Sequence, residues 1–516
     1  MRKNVNQLKV GVIITYISLL IGNIIPLVYT PIMLNIMGKS EYGLYNLSNS
    51  VVGYMSLLSF GLGSTIVKYV TDYISIKDKE GEEKIIGLFI KIYSILFFIC
   101  IVIGIILSLN VDRIFSKSLT LNELAKMRIL VMLMAINTGI SFPLSVFSAI
   151  IISHQKYIYN KLISLLSTIF VPIANLIVLY MGYASIGIVI STTILNIIFG
   201  IINIWYCGKV LQIKPNIKDT DYSILKGMII FSFFIFLGEV VNMLYWATDK
   251  VIIGKYIGTA AVSVYSIGAT FNTYLGSFAS AIGSVLFPKV NIMVNNDSSR
   301  EDLSNLFIKV GRLQYLIISL ILLGFIIFGK EFIRLWAGLE YSDSYIIALL
   351  TMIPVAVPLI QSAGISILQA KNMHKFRSIM FLFIAILNLI LSILWVKNMG
   401  IVGCAIATCL AYTIGPVIIM NWYYWKKVKL NIVSFWKNIL KMTIPYLIIS
   451  LMYVVFIKKY MILTNWTGLF TGIIIYTTMY AVVTWLFVAN NYEKDLIGQP
   501  LNKIRNKLFK KTIKGV

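Results

Sequence analysis

Ile36-Met37-Gly38-Lys39-Ser40-Glu41-Tyr42-Gly43-Leu44-Tyr45-Asn46-Leu47 has a counterpart about 220 residues further on. That counterpart is Tyr256-Ile257-Gly258-Thr259-Ala260-Ala261-Val262-Ser263-Val264-Tyr265-Ser266-Ile267. Gly38 falls on Gly258 and Tyr45 on Tyr265. Nearly the same offset relates Gly63-Ser64 to Gly283-Ser284, His154-Gln155-Lys156-Tyr157 to Met373-His374-Lys375-Phe376, and Met181-Gly182 to Met399-Gly400. Four matches in one order and register define an internal repeat. Around them lie apolar runs of roughly 18 to 25 residues, each long enough to cross a hydrocarbon core. The runs predict about fourteen spans: 10–36, 44–70, 85–109, 125–151, 158–181, 184–207, 224–250, 258–287, 304–329, 344–370, 377–397, 401–425, 437–457 and 465–489. Six spans separate the two copies, and an even number preserves direction, so the copies are parallel repeats about an axis along the membrane normal. The expected fold is an all-α polytopic membrane protein. Two parallel six-helix lobes (1–222 and 223–430) precede two additional helices (431–490) and a basic cytoplasmic tail (491–516).

Composition agrees. Of 516 residues 59% are hydrophobic and 13% charged, about half the charge a soluble domain carries. Long runs also exclude an outer-membrane barrel, whose strands alternate over roughly ten residues. The net charge of +25 sits in alternate loops rather than on one soluble face, which favours topology over nucleic-acid binding. A cytoplasmic N-terminus assigns about three quarters of the Lys and Arg residues to the inside, and fourteen spans return the tail there. Both termini are expected in the cytoplasm. Arg2, Lys3 and Lys9 precede a first span too long for a signal peptide, so it is expected to be a retained anchor. Cys100, Cys207, Cys404 and Cys409 have neither metal-ligand spacing nor a reason to form disulfides. Pro26, Pro31, Pro143, Pro172, Pro354, Pro358 and Pro416 fall inside spans, as in helices that kink or move.

The repeat followed by two extra helices resembles the multidrug/oligosaccharidyl-lipid/polysaccharide exporter superfamily. Within it the chain is similar to the bacterial polysaccharide (O-antigen type) lipid-linked oligosaccharide flippases. The likeness is carried by Ile36 through Tyr45, by Phe60-Gly61-Leu62-Gly63, by Thr248-Asp249-Lys250-Val251-Ile252-Ile253-Gly254 through Tyr265, and by the basic turns after the fourth and tenth helices. It covers essentially the whole chain. The resemblance implies two lobes around a cavity that opens alternately to each side. It also implies a glycan joined through pyrophosphate to a polyprenyl carrier, moved from the inner to the outer leaflet of a bacterial cytoplasmic membrane. The expected partners are membrane lipids, that substrate and polysaccharide-assembly proteins, with the transporter acting as a monomer. No cofactor is expected; energy would come from an ion gradient or the membrane potential.

Glu239 is the sharpest candidate residue. It lies near the middle of helix seven, where an acid costs about 2.5–3.5 kcal/mol on insertion scales and should face the bundle interior. Helical spacing puts Asn242, Trp246 and Lys250 on nearly its face, with Asp249 to one side. This stripe is expected to line the cavity or couple an ion; an interhelical hydrogen-bond anchor is the plainer alternative. Lys68 and Lys289, at nearly equivalent repeat positions, are candidates for the pyrophosphate headgroup, as are Arg312 and Arg128; snorkelling cations that set topology are the alternative. Asn23, Tyr29, Asn137 and Asn272 are cavity or packing residues. His154 and His374 lack a second ligand at metal spacing and read as loop residues.

Two other function classes compete. A cation-coupled multidrug exporter of the same superfamily often uses acids in the first lobe, whereas Glu239 lies in the second. A membrane glycan polymerase or transferase would need a large outer loop with paired acids, and the outer loops are short. Gly38-Lys39-Ser40 lacks the upstream glycine of a Walker A motif, so an ATPase is not expected.

Overall fold

Apolar runs set the helices of this chain, and glycine and proline break them. The computed structural model describes residues 7–220, 224–295, 299–371 and 373–496, and among these every regular element is helical. The first, α1 (Gln7–Gly53), is two helices joined at Gly38 (φ 75°, ψ 171°), a conformation suited to glycine. A 3-10 segment, Tyr54–Ser59, then ends at Phe60 (φ 51°) and Gly61 (φ 70°). Next come α2 (Leu62–Ser75), α3 (Lys79–Phe115), α4 (Leu121–Ser153), α5 (Tyr157–Tyr180) and α6 (Ala184–Lys209). Thr120 and Glu123 form a reciprocal capping box at the start of α4, satisfying two otherwise unpaired helix donors.

One residue, Ala247, separates α7 (Leu225–Trp246) from α8 (Thr248–Tyr256). After α9 (Thr259–Asn295) and α10 (Arg300–Trp336), α11 (Ser344–Ile360) and α12 (Ser362–Ala370) meet at 47°, following Pro354 and Pro358. The next helix, α13 (His374–Tyr412), is interrupted at Gly400 (φ 60°, ψ −143°). Wide π-helical turns at Thr413–Ile419 and Tyr424–Val428 flank the short α14 (Met420–Tyr423). Pro416 lies in the first of them. The last long helices are α15 (Ile432–Met452) and α16 (Trp466–Val483).

Among the described residues ten helices are long and apolar enough to cross a membrane, or eleven if the bent pair is one span. The sequence predicts fourteen. Part of the difference is in the counting: Ile17–Ser75 and Lys375–Val428 each count once, at 59 and 54 residues, although each holds two helices that meet at a non-helical glycine, Gly38 and Gly400. The glycines paired by the repeat share a positive φ. Gly38 and Gly258 have φ 75° and 125°, and Gly182 and Gly400 have 86° and 60°.

The chain packs as two compact units. The first comprises Met1–Phe271, Ile346–Thr351 and Lys375–Gly415; the second comprises Asn272–Tyr345, Met352–His374 and Pro416–Val516. In the first, α3 and α4 approach closely because Gly104 has no side chain: a Cβ there would stand 2.5 Å from that of Ala135. Phe89 and Tyr93 of α3 and Leu130, Val131 and Val146 of α4 are buried along the two helices. In the second, Phe328, Tyr446, Tyr453, Tyr476 and Tyr480 form the core between α10, α15 and α16. Their hydroxyls are paired, Tyr480 with Ser319 (2.7 Å), Tyr446 with Thr484 (3.0 Å) and Tyr476 with Ser450 (2.8 Å). Polar tips therefore stay satisfied where water is excluded. Exposed apolar stripes at helical spacing, such as Ile190, Ile194, Ile198 and Ile201 on α6 or Leu440, Ile444, Leu447 and Leu451 on α15, are the surface a lipid environment requires.

Candidate functional site

Asp249, at the second position of α8, is 1% exposed. Burying a lone carboxylate costs too much unless donors surround it, and here three hydroxyls do. Thr408 donates to Oδ2 at 2.8 Å and Ser392 to Oδ1 at 2.9 Å, while Tyr265 donates to Oδ2. The side-chain oxygen of Asn388 lies 3.3 Å from the Ser392 hydroxyl and 3.4 Å from that of Thr408. The Asn388 amide nitrogen has no partner among the described residues. Asn388 and Ser392 are one turn apart on α13 before its Gly400 break, and Thr408 follows the break. The short α8 and the start of α9 bring Asp249 and Tyr265 to them, all within the first unit. The result is a fully buried carboxyl group ringed by hydroxyls, with the Asn388 amide and the Cys404 thiol beside it. Its oxygens suit a proton or a hard cation, and one carboxyl group can balance a monovalent one. Among the described residues no group of three or more His, Cys, Asp or Glu side chains is placed to hold a metal.

The other stripe residues lie elsewhere. Glu239 and Asn242 are exposed on α7 and Lys250 is half-buried; none has a hydrogen bond or ion pair among the described residues. Glu239 is about 15 Å along the helix from Asp249, so the two acids do not form one site. Seven residues before Glu239, on the same face, buried Ser232 is hydrogen-bonded to Thr65 of α2 at 2.6 Å. Phe236, one turn before Glu239, stacks on Phe60 with ring centres 4.1 Å apart. Glu239 therefore points toward the α2 side of α7, where the 3-10 segment interrupts the facing helix, rather than away from the unit.

Of the four candidate headgroup cations, Lys68 is exposed midway along α2, with its ammonium 4.5 Å from the centre of the Phe231 ring and without an acidic partner among the described residues. Lys289 is in α9, but its side chain lies outside the described residues. Arg312 is engaged: its Nε and Nη2 donate to the two carboxylate oxygens of Glu493 at 2.7 and 2.8 Å, and Nη2 also to the Val488 carbonyl at 3.0 Å. Arg128 pairs with Asp112 across the ends of α3 and α4. Asn23 donates to the Leu19 carbonyl and Asn137 accepts from Asn196 at 3.0 Å, both packing bonds.

Sequence reading missed Tyr265, Asn388, Ser392 and Thr408 as partners of Asp249. The only signal was Asn388 and Ser392 four residues apart in an otherwise apolar run. It also missed that His154 has an acid beside it: Nε2 lies 2.7 Å from buried Glu82, 72 residues away in sequence.

Several solved structures share this fold. One is a lipid II flippase MurJ in an inward closed conformation: TM-score 0.73, 18% identity, covering 95% of this chain and 99% of that one. Another is the inward-facing conformation of a multidrug resistance MATE family transporter of the MOP superfamily: TM-score 0.59, 14% identity, covering 80% and 96%. The class the fold defines is an all-helical, multi-pass membrane protein. More narrowly, the chain belongs to the polysaccharide biosynthesis protein family, whose model matches residues 8–294. A curated relative, "Probable low-salt glycan biosynthesis flippase Agl15" of Haloferax volcanii, is 23% identical over 211 residues. That match spans 40% of this chain and 44% of the relative's length.

Proposed function

We propose that this protein is a flippase for polyprenyl-pyrophosphate-linked oligosaccharide, carrying it from the inner to the outer leaflet of a bacterial cytoplasmic membrane for cell-surface polysaccharide biosynthesis. The observation that carries the reading is family membership over residues 8–294. The fold shared with a lipid-linked substrate flippase and the relative's glycan name support it. A polar head must be shielded through the hydrocarbon while the lipid tail stays in the bilayer, which alternating access between two lobes provides. The shared left-handed glycines at repeat positions support two parallel lobes, 1–222 and 223–430, followed by helices 431–490 and the tail 491–516. Fourteen spans follow if the segments broken at Gly38 and Gly400 each cross twice and α9 and the bent pair each cross once. Both ends are then cytoplasmic.

In this reading Asp249 is the coupling group, exchanging a proton or an alkali-metal cation while its hydroxyl neighbours hold it in place. Lys68 meets the pyrophosphate, and Arg312 and Arg128, already paired, serve architecture. Depleting the protein in its native cells and profiling polyprenyl-linked glycans in each leaflet tests the reading. One complete oligosaccharide unit should accumulate on the cytoplasmic side. Unchanged glycan lipids with new sensitivity to cationic drugs would instead make the protein a cation-coupled multidrug exporter.

A further inference from the structure

Glu239 and Asn242 lie on one face of α7 with Trp246, four residues beyond Asn242. The two polar residues are exposed and the indole is half-buried, its ring centre 6.0 Å from that of Tyr412. An acid at this depth does not face hydrocarbon without cost, and the Ser232–Thr65 bond fixes the direction of the face toward α2. The buried carboxylate suited to an ion is Asp249. Glu239 is exposed and has no protein donor among the described residues, which is how a group that binds something passing by is placed.

We propose that Glu239, Asn242 and Trp246 form a sugar-reading strip, which recognises the uncharged hydroxyls of the glycan. The inference rests on the flippase reading and names the part of the substrate this face takes. A carboxylate accepts from neighbouring hydroxyls, a primary amide both donates and accepts, and an indole packs against the apolar face of a pyranose ring. A carboxylate repels pyrophosphate, so the strip takes the part of the head that lacks charge. The cation is at the correct distance for this division. Lys68 sits over Phe231, eight residues before Glu239, a rise of about 12 Å along α7. With pyrophosphate at Lys68, the first sugar units extend to Glu239 and later ones to Trp246. The stacked pair Phe60 and Phe236 walls the path between.

The test uses the full chain in liposomes and compares transport of a short polyprenyl pyrophosphate, bare or carrying a neutral disaccharide. Wild-type protein should favour the glycosylated lipid. Glu239→Ala and Asn242→Ala should each cut that preference roughly tenfold, the loss of one hydrogen bond to a charged or polar group. Glu239→Gln, which still accepts, should restore part of it, and Trp246→Leu should lower it with correct folding checked by thermal unfolding. Equal slowing of both lipids in these variants overturns the strip. So does a wild-type protein that moves both lipids at one rate, although the flippase reading then stands. A wild-type protein that moves neither lipid defeats the flippase reading, and the strip with it.

Discussion

Asp249 has two separable jobs, and substitution can divide them. Its oxygens satisfy three buried hydroxyls, from Tyr265, Ser392 and Thr408, and its charge is what an ion would answer. Asp249→Asn keeps an acceptor of the same size and removes the charge. It should lower the unfolding temperature of detergent-purified protein less than Asp249→Leu does, since one of the two accepting oxygens becomes a donor, while transport in liposomes loses at least tenfold and no longer responds to an imposed sodium or proton gradient. Asp249→Leu removes the acceptors as well, at about 1–3 kcal/mol for each buried donor left unpaired, and should lower the yield of folded protein. A sodium gradient that drives wild type at constant pH identifies an alkali-metal site; a pH gradient alone identifies proton exchange. Gradient response retained in Asp249→Asn would move coupling elsewhere. The acid itself was legible in the sequence, as a charge in an apolar helix. Its partners were not, because hydroxyls and a lone amide at membrane depth look the same whether they pair within a helix or across several. Only packing α8 and α9 on α13 brings residues 249, 265, 388, 392 and 408 together. The partner of Arg312 was hidden for the same reason, since Glu493 is 181 residues away.

At the scale of elements, that Arg312–Glu493 pair fastens the end of the described chain to α10. Glu493 is 2% exposed and Arg312 8%. Glu493 also closes a reciprocal cap with Asn490, accepting from its backbone N–H at 3.0 Å while Asn490 Oδ1 accepts from Glu493 N–H at 2.9 Å. The Lys309 ammonium packs over Tyr492 one turn from Arg312 on α10. A buried bidentate pair is costly to break from one side because the remaining charge is stranded, typically by about 3–5 kcal/mol. Arg312→Met or Glu493→Leu alone should therefore destabilise the second unit by that order, measured as loss of protection at residues 489–496 in hydrogen exchange. Combining the two should recover most of the loss, since both charges then leave together. If Arg312 were a substrate cation, Arg312→Met would instead slow transport with stability unchanged, and Glu493→Leu would not rescue it. Helix breaks at this scale were readable where proline or glycine marked them. The π-helical turns at Tyr424–Val428 and Tyr453–Ile457 carry no such mark, and the sequence reading passed straight through them.

At the scale of the molecule, the two copies of the repeat motif meet in a physical contact. Gly43 packs so tightly on the start of α9 that a Cβ would stand 1.8 Å from the Thr259 carbonyl oxygen. Around that contact Glu41 accepts from Lys126 at 2.7 Å and from Ser185. Glu123 accepts from Thr259, whose hydroxyl lies 3.3 Å from that of Ser40. The two repeat motifs are thus joined to each other where the proposed topology has the outer face. The sequence paired these motifs by similarity, but nothing in their spacing required them to touch. A chain that works by alternating access must part them once per cycle, because a glycan head cannot leave through a contact without room for a methyl group. Ser40→Cys with Thr259→Cys tests this directly, as hydroxyl oxygens 3.3 Å apart place the replacing sulfurs within reach of a disulfide of ordinary geometry. The native thiols of Cys100, Cys207 and Cys404 are buried and compete little. Oxidation should stop transport of lipid-linked glycan in liposomes and reduction should restore it, while either single cysteine variant stays insensitive to oxidant. Transport that continues at full rate in quantitatively cross-linked protein would mean that the substrate leaves without parting the repeats. The protein would then resemble alternating-access transporters in fold without sharing their cycle.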